Sequence, residues 1–304
     1  MLAYAVRRIA GVVPTLLILL TLAFVLIRSA PGGPFDAEKQ LPPQIEANLQ
    51  AKYHLDEPLY QQYARYVWDV LHFDFGPSFQ YKDLTVTQLI TDAFPVSLKL
   101  GAASLLFALL FGVPLGVLAA LRQNSPTDYG LMTLAMVGIS IPNFVLAPLL
   151  ILLLAVYNDW LPAGGLGGPS HFVIPVLALG TAMMAYVARL TRGSMIEVLR
   201  SDFIRTARAK GLTARRVLFV HALPAGLTPV VSFMGPATAG IITGSVVIET
   251  IFGIPGLGRF IVQGATNRDY TLVLGVVLFY GMLIILFNLL VDLVYAWLDP
   301  RVSY

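Results

Sequence analysis

The chain has 304 residues and no cysteine. That excludes disulfides, thiolate zinc sites, cysteine-ligated iron–sulfur clusters and a cysteine nucleophile. Histidine is nearly as scarce: His54, His72, His171 and His221 are scattered, no HExxH pair exists, and no metal site is expected. Charged residues make up only 12 % of the sequence, against about 25 % in soluble domains. No GxxxxGK(S/T) stretch is present, so the chain has no P-loop to cradle phosphates. No GxSxG elbow is present either, and no catalytic residues are assigned. No acid, lysine or arginine lies at the centre of a long apolar run, where ion-coupled carriers usually keep their relays. A secondary carrier or channel is therefore the disfavoured alternative, and an intramembrane enzyme is weaker still. The driving force is assigned to another chain. Nothing points to nucleic acid.

What is abundant is apolar surface: 57 % hydrophobic residues and a mean hydropathy of +0.76. A soluble fold cannot hide that much. The sequence predicts an all-α membrane protein with six transmembrane helices, at 9–28, 99–121, 130–155, 172–190, 226–248 and 271–292. The first uncharged run, 9–27, would extend about 28 Å as a helix, close to a ~30 Å hydrocarbon core. It is longer than a signal-peptide core and is expected to be a retained span. The runs do not alternate in polarity as barrel strands do. Pro114, Pro142, Pro148, Pro175 and Pro236 imply kinks.

Basic residues set the orientation. Placing both termini in the cytoplasm puts there Arg7, Arg8, Arg122, Arg189, Arg192, Arg200, Arg205, Arg208, Lys210, Arg215, Arg216 and Arg301, the majority of the 20 Lys and Arg. Residues 1–304 then form one transmembrane domain. Segment 29–98 is external, with Pro31, Pro34, Pro42, Pro43 and Pro58 ahead of a helical patch near 58–71, and reads as a cap over the outer face.

The 189–224 loop is longer than a topology signal requires. Ser194 and Glu197 have capping-box spacing, so a helix is expected to start near Met195 unless span four runs on into it. Gly211 would end that helix in the left-handed region, Thr213 would cap the next one, and Pro224 would bend the approach to span five. The expected product is helix, tight turn, helix, outside the membrane.

This segment, RTARAKGLTARRVLFVHALP, resembles the EAA loop of ABC-importer permeases, E-A-A-x3-G-x9-I-x-L-P. Arg205, Thr206 and Ala207 occupy the EAA places, Gly211 follows three residues later, and His221, Ala222, Leu223 and Pro224 come nine residues after that. Arg205, Thr206 and His221 replace the motif's Glu, first Ala and Ile, so no role of that Glu is carried over. The form is similar to the peptide branch of the family. So are Ala30-Pro31-Gly32, Tyr53-His54-Leu55, Asp74-Phe75-Gly76-Pro77-Ser78-Phe79 and Gly193-Ser194-Met195. Further along, Glu249-Thr250-Ile251-Phe252, Pro255-Gly256-Leu257-Gly258, Arg268-Asp269-Tyr270 and Asp299-Pro300-Arg301 fit as well. The pattern is most similar to the B-type transmembrane subunit of oligopeptide permeases.

The resemblance implies a type I ABC importer permease fold in a bacterial inner (plasma) membrane. It implies as partners a second permease, two ABC ATPase subunits, an external peptide-binding protein, the peptide and the lipid bilayer. No cofactor belongs to this chain; ATP and Mg are expected in the ATPases. Dipeptides, nickel chelates or glutathione are alternative cargoes for the same machinery. ATPase coupling is expected at Arg205, Thr206, Ala207, Arg208, Ala209, Lys210, Gly211, Leu212, Leu223 and Pro224. An outer gate is expected in the 249–269 loop at Glu249, Phe252, Pro255, Gly256 and Gly258, against the other reading of that loop as an amphipathic interfacial helix. Thr238 and Ser245, seven apart, are pathway candidates. They compete with a packing role, as do the GxxxG pairs Gly112/Gly116 and Gly240/Gly244.

Overall fold

The computed structural model describes residues 2–29, 56–81, 83–243 and 246–298. Met1, residues 30–55, Lys82, Gly244, Ser245 and residues 299–304 lie outside the described residues, and with them Ser245 as a pathway candidate and Gly244 of the second GxxxG pair. Nearly all the described structure is helical; the β structure among the described residues is an isolated bridge between Pro77 and Thr85.

In chain order the helices are α1 (Leu2–Arg28), α2 (Leu59–Leu71), α3 (Val86–Leu121) and α4 (Pro126–Ser140). Next come α5 (Asn143–Val156, ending in a π turn), α6 (Ser170–Leu199), α7 (Asp202–Ala209) and α8 (Ala214–Gly226). Last are α9 (Thr228–Thr243), α10 (Val246–Phe252), α11 (Leu257–Thr266) and α12 (Tyr270–Leu298).

Three described helices are long and apolar enough to cross a bilayer: α3, α6 and α12. Three bent pairs bring the number to six if each pair is one span. The expected straight span at 130–155 is one of them: α4 and α5 meet at 101°. Pro142 is the cause. It has no N–H to donate, and it forces Ile141 out of the helical region to φ −93°, ψ 116°. The second pair, α8 with α9, is bent by 45°; the third is α10 with α11, a broken span or re-entrant loop. Helix α1 carries the shorter apolar stretch Gly11–Leu26. Helix α3 begins at Val86, well before the expected 99, so the segment between spans one and two already contains its first turns.

The chain divides into two compact units, Met1–Val96 with Gly256–Ile285, and Ser97–Pro255 with Leu286–Tyr304. In the first, Phe75, Val86, Ile90, Leu257, Phe260, Leu272 and Val276 are buried, and the rings of Phe94 and Phe279 meet edge-to-face at 5.0 Å.

In the second unit α6 is gripped by neighbours on two sides. A Cβ at Gly112 of α3 would lie 2.7 Å from Met184 O, and one at Gly116 would meet Ala188 O and lie 2.6 Å from Thr191 Cβ. Only glycine lets the two backbones approach this closely, so this GxxxG pair packs helices. On the other side Ala135 of α4 is buried with Ala185 and Ala188 of α6. Gly240 is different: among the described residues beyond its own stretch of helix, nothing lies within 4 Å of a Cβ built there.

Candidate functional site

The residues that resemble the coupling loop form two short helices seated on the ends of longer ones. Helix α6 runs without interruption to Leu199, so no new helix starts near Met195; Ser194 and Glu197 lie inside α6 and make no capping box. The break comes at Arg200–Ser201. Ser201 is extended, and its Oγ donates to Val198 O at 2.6 Å. Asp202 then opens α7, where a negative side chain suits the helix N-terminus.

Two faces of α7 differ sharply. Ile204 and Ala207, three apart, are buried, while Arg205, Thr206, Arg208, Ala209 and Lys210 are exposed. Arg205 pairs with exposed Asp202. The buried pair belongs to a cluster with Ala120 of α3, Met195 of α6, and Val217 and Ala222 of α8; Leu212 and Leu223 pack against it. Burying Ile204 alone contributes roughly 1.5–3 kcal/mol.

Gly211 ends α7 with φ +74°. Its N–H bonds Arg208 O at 2.9 Å, and the Leu212 N–H reaches back to Ala207 O at 3.4 Å. This pair of bonds is a Schellman motif with glycine at its left-handed position. A Cβ at Gly211 would meet nothing within 4 Å among the described residues, and the positive φ is what selects glycine here. Thr213 is extended, and its Oγ1 accepts from Arg216 N at 3.4 Å, capping α8. Arg215 and Arg216 are exposed. A π turn at Val217–Ala222 precedes Pro224, which is exposed. The ring of a proline inside a helix presses on the carbonyl four residues back, and the wider turn supplies room.

A clamp not legible in the sequence lies beside this platform. Arg192 of α6 grips Asp128 of α4 with two bonds, Nε to Oδ1 at 2.6 Å and Nη2 to Oδ2 at 2.7 Å. Asp128 is fully buried and also accepts from Asn124 N at 2.9 Å. Close by, Arg200 Nη2 donates to Gln123 Oε1 at 2.8 Å. Ser125-Pro126 with an acid at Asp128 is a legible helix start; the arginine 64 positions later is not.

The gate candidates fall on α10 and α11. Glu249 is fully buried and accepts from Ser97 Oγ, also buried, at 2.6 Å. Phe252 is buried, and its carbonyl accepts from Gly165 N at 2.6 Å. Gly253 has φ +62° and ends α10 with the same bond pattern as Gly211: Gly253 N to Thr250 O at 3.3 Å and Ile254 N to Glu249 O at 2.9 Å. Pro255 is half-buried, Gly256 precedes α11, and Gly258 is buried in it. The segment is two short helices, α10 and α11, each with buried apolar side chains. Thr238 Oγ1 satisfies itself on Met234 O at 2.6 Å. No cluster of potential metal ligands occurs among the described residues.

Two other stretches singled out in the sequence meet at Asp269. Its carboxylate accepts from Ser78 Oγ and from the backbone N–H groups of Phe79 and Gln80 on one oxygen, and from Thr271 Oγ1 and Leu272 N on the other. The same aspartate thus begins α12 and holds the 78–80 turn.

Comparison with known proteins follows this architecture closely. A family model described as binding-protein-dependent transport system inner membrane component matches residues 112–304, and its N-terminal companion matches 1–101. The chain is 54 % identical to the oligopeptide transport system permease protein OppB of Salmonella typhimurium, across 100 % of both chains. It is 45 % identical to the dipeptide transport system permease protein DppB of Bacillus subtilis, over 99 % of this chain and 97 % of that one. A solved structure of the MetNI methionine ABC transporter in an inward-facing conformation superimposes with a TM-score of 0.61 at 18 % identity, covering 69 % of this chain and 96 % of that one. The fold is that of type I ABC importer permeases, and the chain belongs to the family of binding-protein-dependent transport system inner membrane components.

Proposed function

We propose that this chain is the membrane permease of an ATP-driven oligopeptide importer in a bacterial inner membrane. It forms half of the translocation pathway beside a second permease, takes peptide from an external binding protein, and is driven by two ABC ATPases that hold the ATP and Mg. The observation that carries this reading is the seated platform of α7, Gly211 and α8. Its apolar underside is fixed to α3 and α6, and its upper face offers Arg205, Arg208, Lys210, Arg215 and Arg216. A rigid basic lever of this kind, on a chain with no P-loop, suits a motor subunit docked from outside.

Glu249 and Phe252, tied to Ser97 and Gly165, serve in this reading as an outer gate on α10, with Pro255, Gly256 and Gly258 continuing it into α11. The B. subtilis dipeptide relative supports the shorter cargo as a second reading. Uptake by the reconstituted complex tests both. Labelled tetra- or pentapeptides should enter with ATP and compete poorly with dipeptides. Dipeptide-only uptake selects the second reading, and ATP-independent uptake refutes both.

A further inference from the structure

Helix α2 has three faces where a surface helix needs two. One face, Gln62, Tyr66 and Val70, is buried, and beside it Tyr63 meets α1. Its hydroxyl lies 2.6 Å from Thr21 Oγ1, and its ring stands edge-to-face on Phe24 at 5.4 Å. A second sector is polar and exposed: Gln61, Arg65, which pairs with Glu57 at 2.7 Å, and His72. The third is apolar. Tyr60, Ala64, Val67, Trp68 and Leu71 follow i, i+4, i+7, i+8, i+11 spacing, which is one helical stripe. Tyr60 is 70 % exposed, Trp68 64 % and Leu71 68 %, with Phe73 beyond the helix end at 72 %.

The contact with α1 fixes the depth of that stripe. The apolar run of α1 stops at Arg28, where the helix ends. Phe24 and Thr21 lie four and seven residues before it, about 6–10 Å inside the span at 1.5 Å per residue. At that level α1 itself exposes Leu22, Val25 and Leu26. A helix pinned there lies where headgroups give way to acyl chains, the depth at which amphipathic helices bind about 5–10 Å into a leaflet and where Trp and Tyr concentrate. We propose that α2 lies in the membrane interface as an anchor, with Tyr60, Ala64, Val67, Trp68 and Leu71 against lipid and Gln61, Arg65 and His72 toward water. The segment between spans one and two is then held by the bilayer surface as well as by α1. The proposal rests on α1 crossing the membrane and is independent of cargo.

The absence of native cysteine makes the test direct. Single spin labels are placed on the full-length chain at Ala64→Cys, Leu71→Cys and Gln61→Cys, with Ile18→Cys as the span control, in phosphatidylethanolamine–phosphatidylglycerol vesicles. Collisions with oxygen, which favours the bilayer, are compared with those of a water-soluble nickel chelate. The oxygen-to-nickel ratio should be at least about five-fold higher at 64 and 71 than at 61, as expected for residues sunk below the headgroups. Equal ratios at the three positions, or labels at 64 and 71 shielded from both reagents by protein, overturn the proposal. If Ile18 fails to read as bilayer interior, the span itself is refuted and the anchor with it.

Discussion

Ser78 donates its hydroxyl proton to Asp269 across 191 positions of sequence, and both residues are fully or nearly fully buried. The bond joins the turn after α2 to the first turn of α12. Hydrogen bonds to a charged partner contribute about 1.5–3 kcal/mol each, and a buried group left without its partner costs about as much. We expect Asp269→Ala to lower thermal stability by about 3–5 kcal/mol, since five donors lose this acceptor at once. Ser78→Ala should cost about 1–2 kcal/mol. The double variant should be less damaging than the sum. Strict additivity in a thermal unfolding series would show that the two do not interact.

Arg192 and Asp128 should behave as a unit. Removing the partly exposed arginine strands the buried aspartate, at up to about 3–5 kcal/mol, while removing both is far milder. Arg192→Gln should therefore reduce the abundance of folded permease more than Arg192→Gln with Asp128→Asn. Equal abundance of the single and double variants in membrane fractions would contradict the pairing.

Gly211 offers a cleaner separation of folding from coupling, because a Cβ there has open space around it. A β-branched residue at φ +74° is strained by about 1–3 kcal/mol, whereas asparagine tolerates that region. Gly211→Val should leave abundance near normal but lower both binding-protein-stimulated ATP hydrolysis and peptide uptake. Gly211→Asn should restore most of each. Full uptake in the valine variant would show that this turn is not the coupling element.

Orientation can be read with reporters. A fusion after residue 304 should report the cytoplasm and one near Lys52 the exterior, following the distribution of Lys and Arg. Both on one side would refute the odd number of crossings between them.

Purified alone, this chain should hydrolyse no ATP, since it has no P-loop; the assembled complex should. Nucleotide binding by the isolated chain would count decisively against the division of labour.

The sequence carried most of the local structure because local chemistry decided it. Gly211 and Thr213 marked their turn and cap through backbone preference alone, and the long apolar runs marked spans. It failed where distance decided. Nothing near Asp128 announces Arg192, and nothing near Ser97 announces Glu249. Ser194 and Glu197 had the spacing of a helix start, yet α6 runs through them, because the capping pattern only matters where a helix is already broken. Pro142 announced a kink but not its size. Asp269 and Ser78 each sit within a family-like stretch, and only the fold shows that the two stretches are one joint.

The π turn at Val217–Ala222 has a consequence for how the 205–224 stretch tolerates change. A π turn holds one residue more than the α turn it replaces. Deleting a single residue between 217 and 222 would remove the spare residue and let α8 close into ordinary α geometry, with the residues on either side still in phase. A second deletion, with no spare residue left to absorb it, would turn everything before it, Arg215 and Arg216 included, by about 100° around the axis. One deletion here should therefore be tolerated far better than two: the spacing from Gly211 to Pro224 works as a ruler, and the spare residue is its slack.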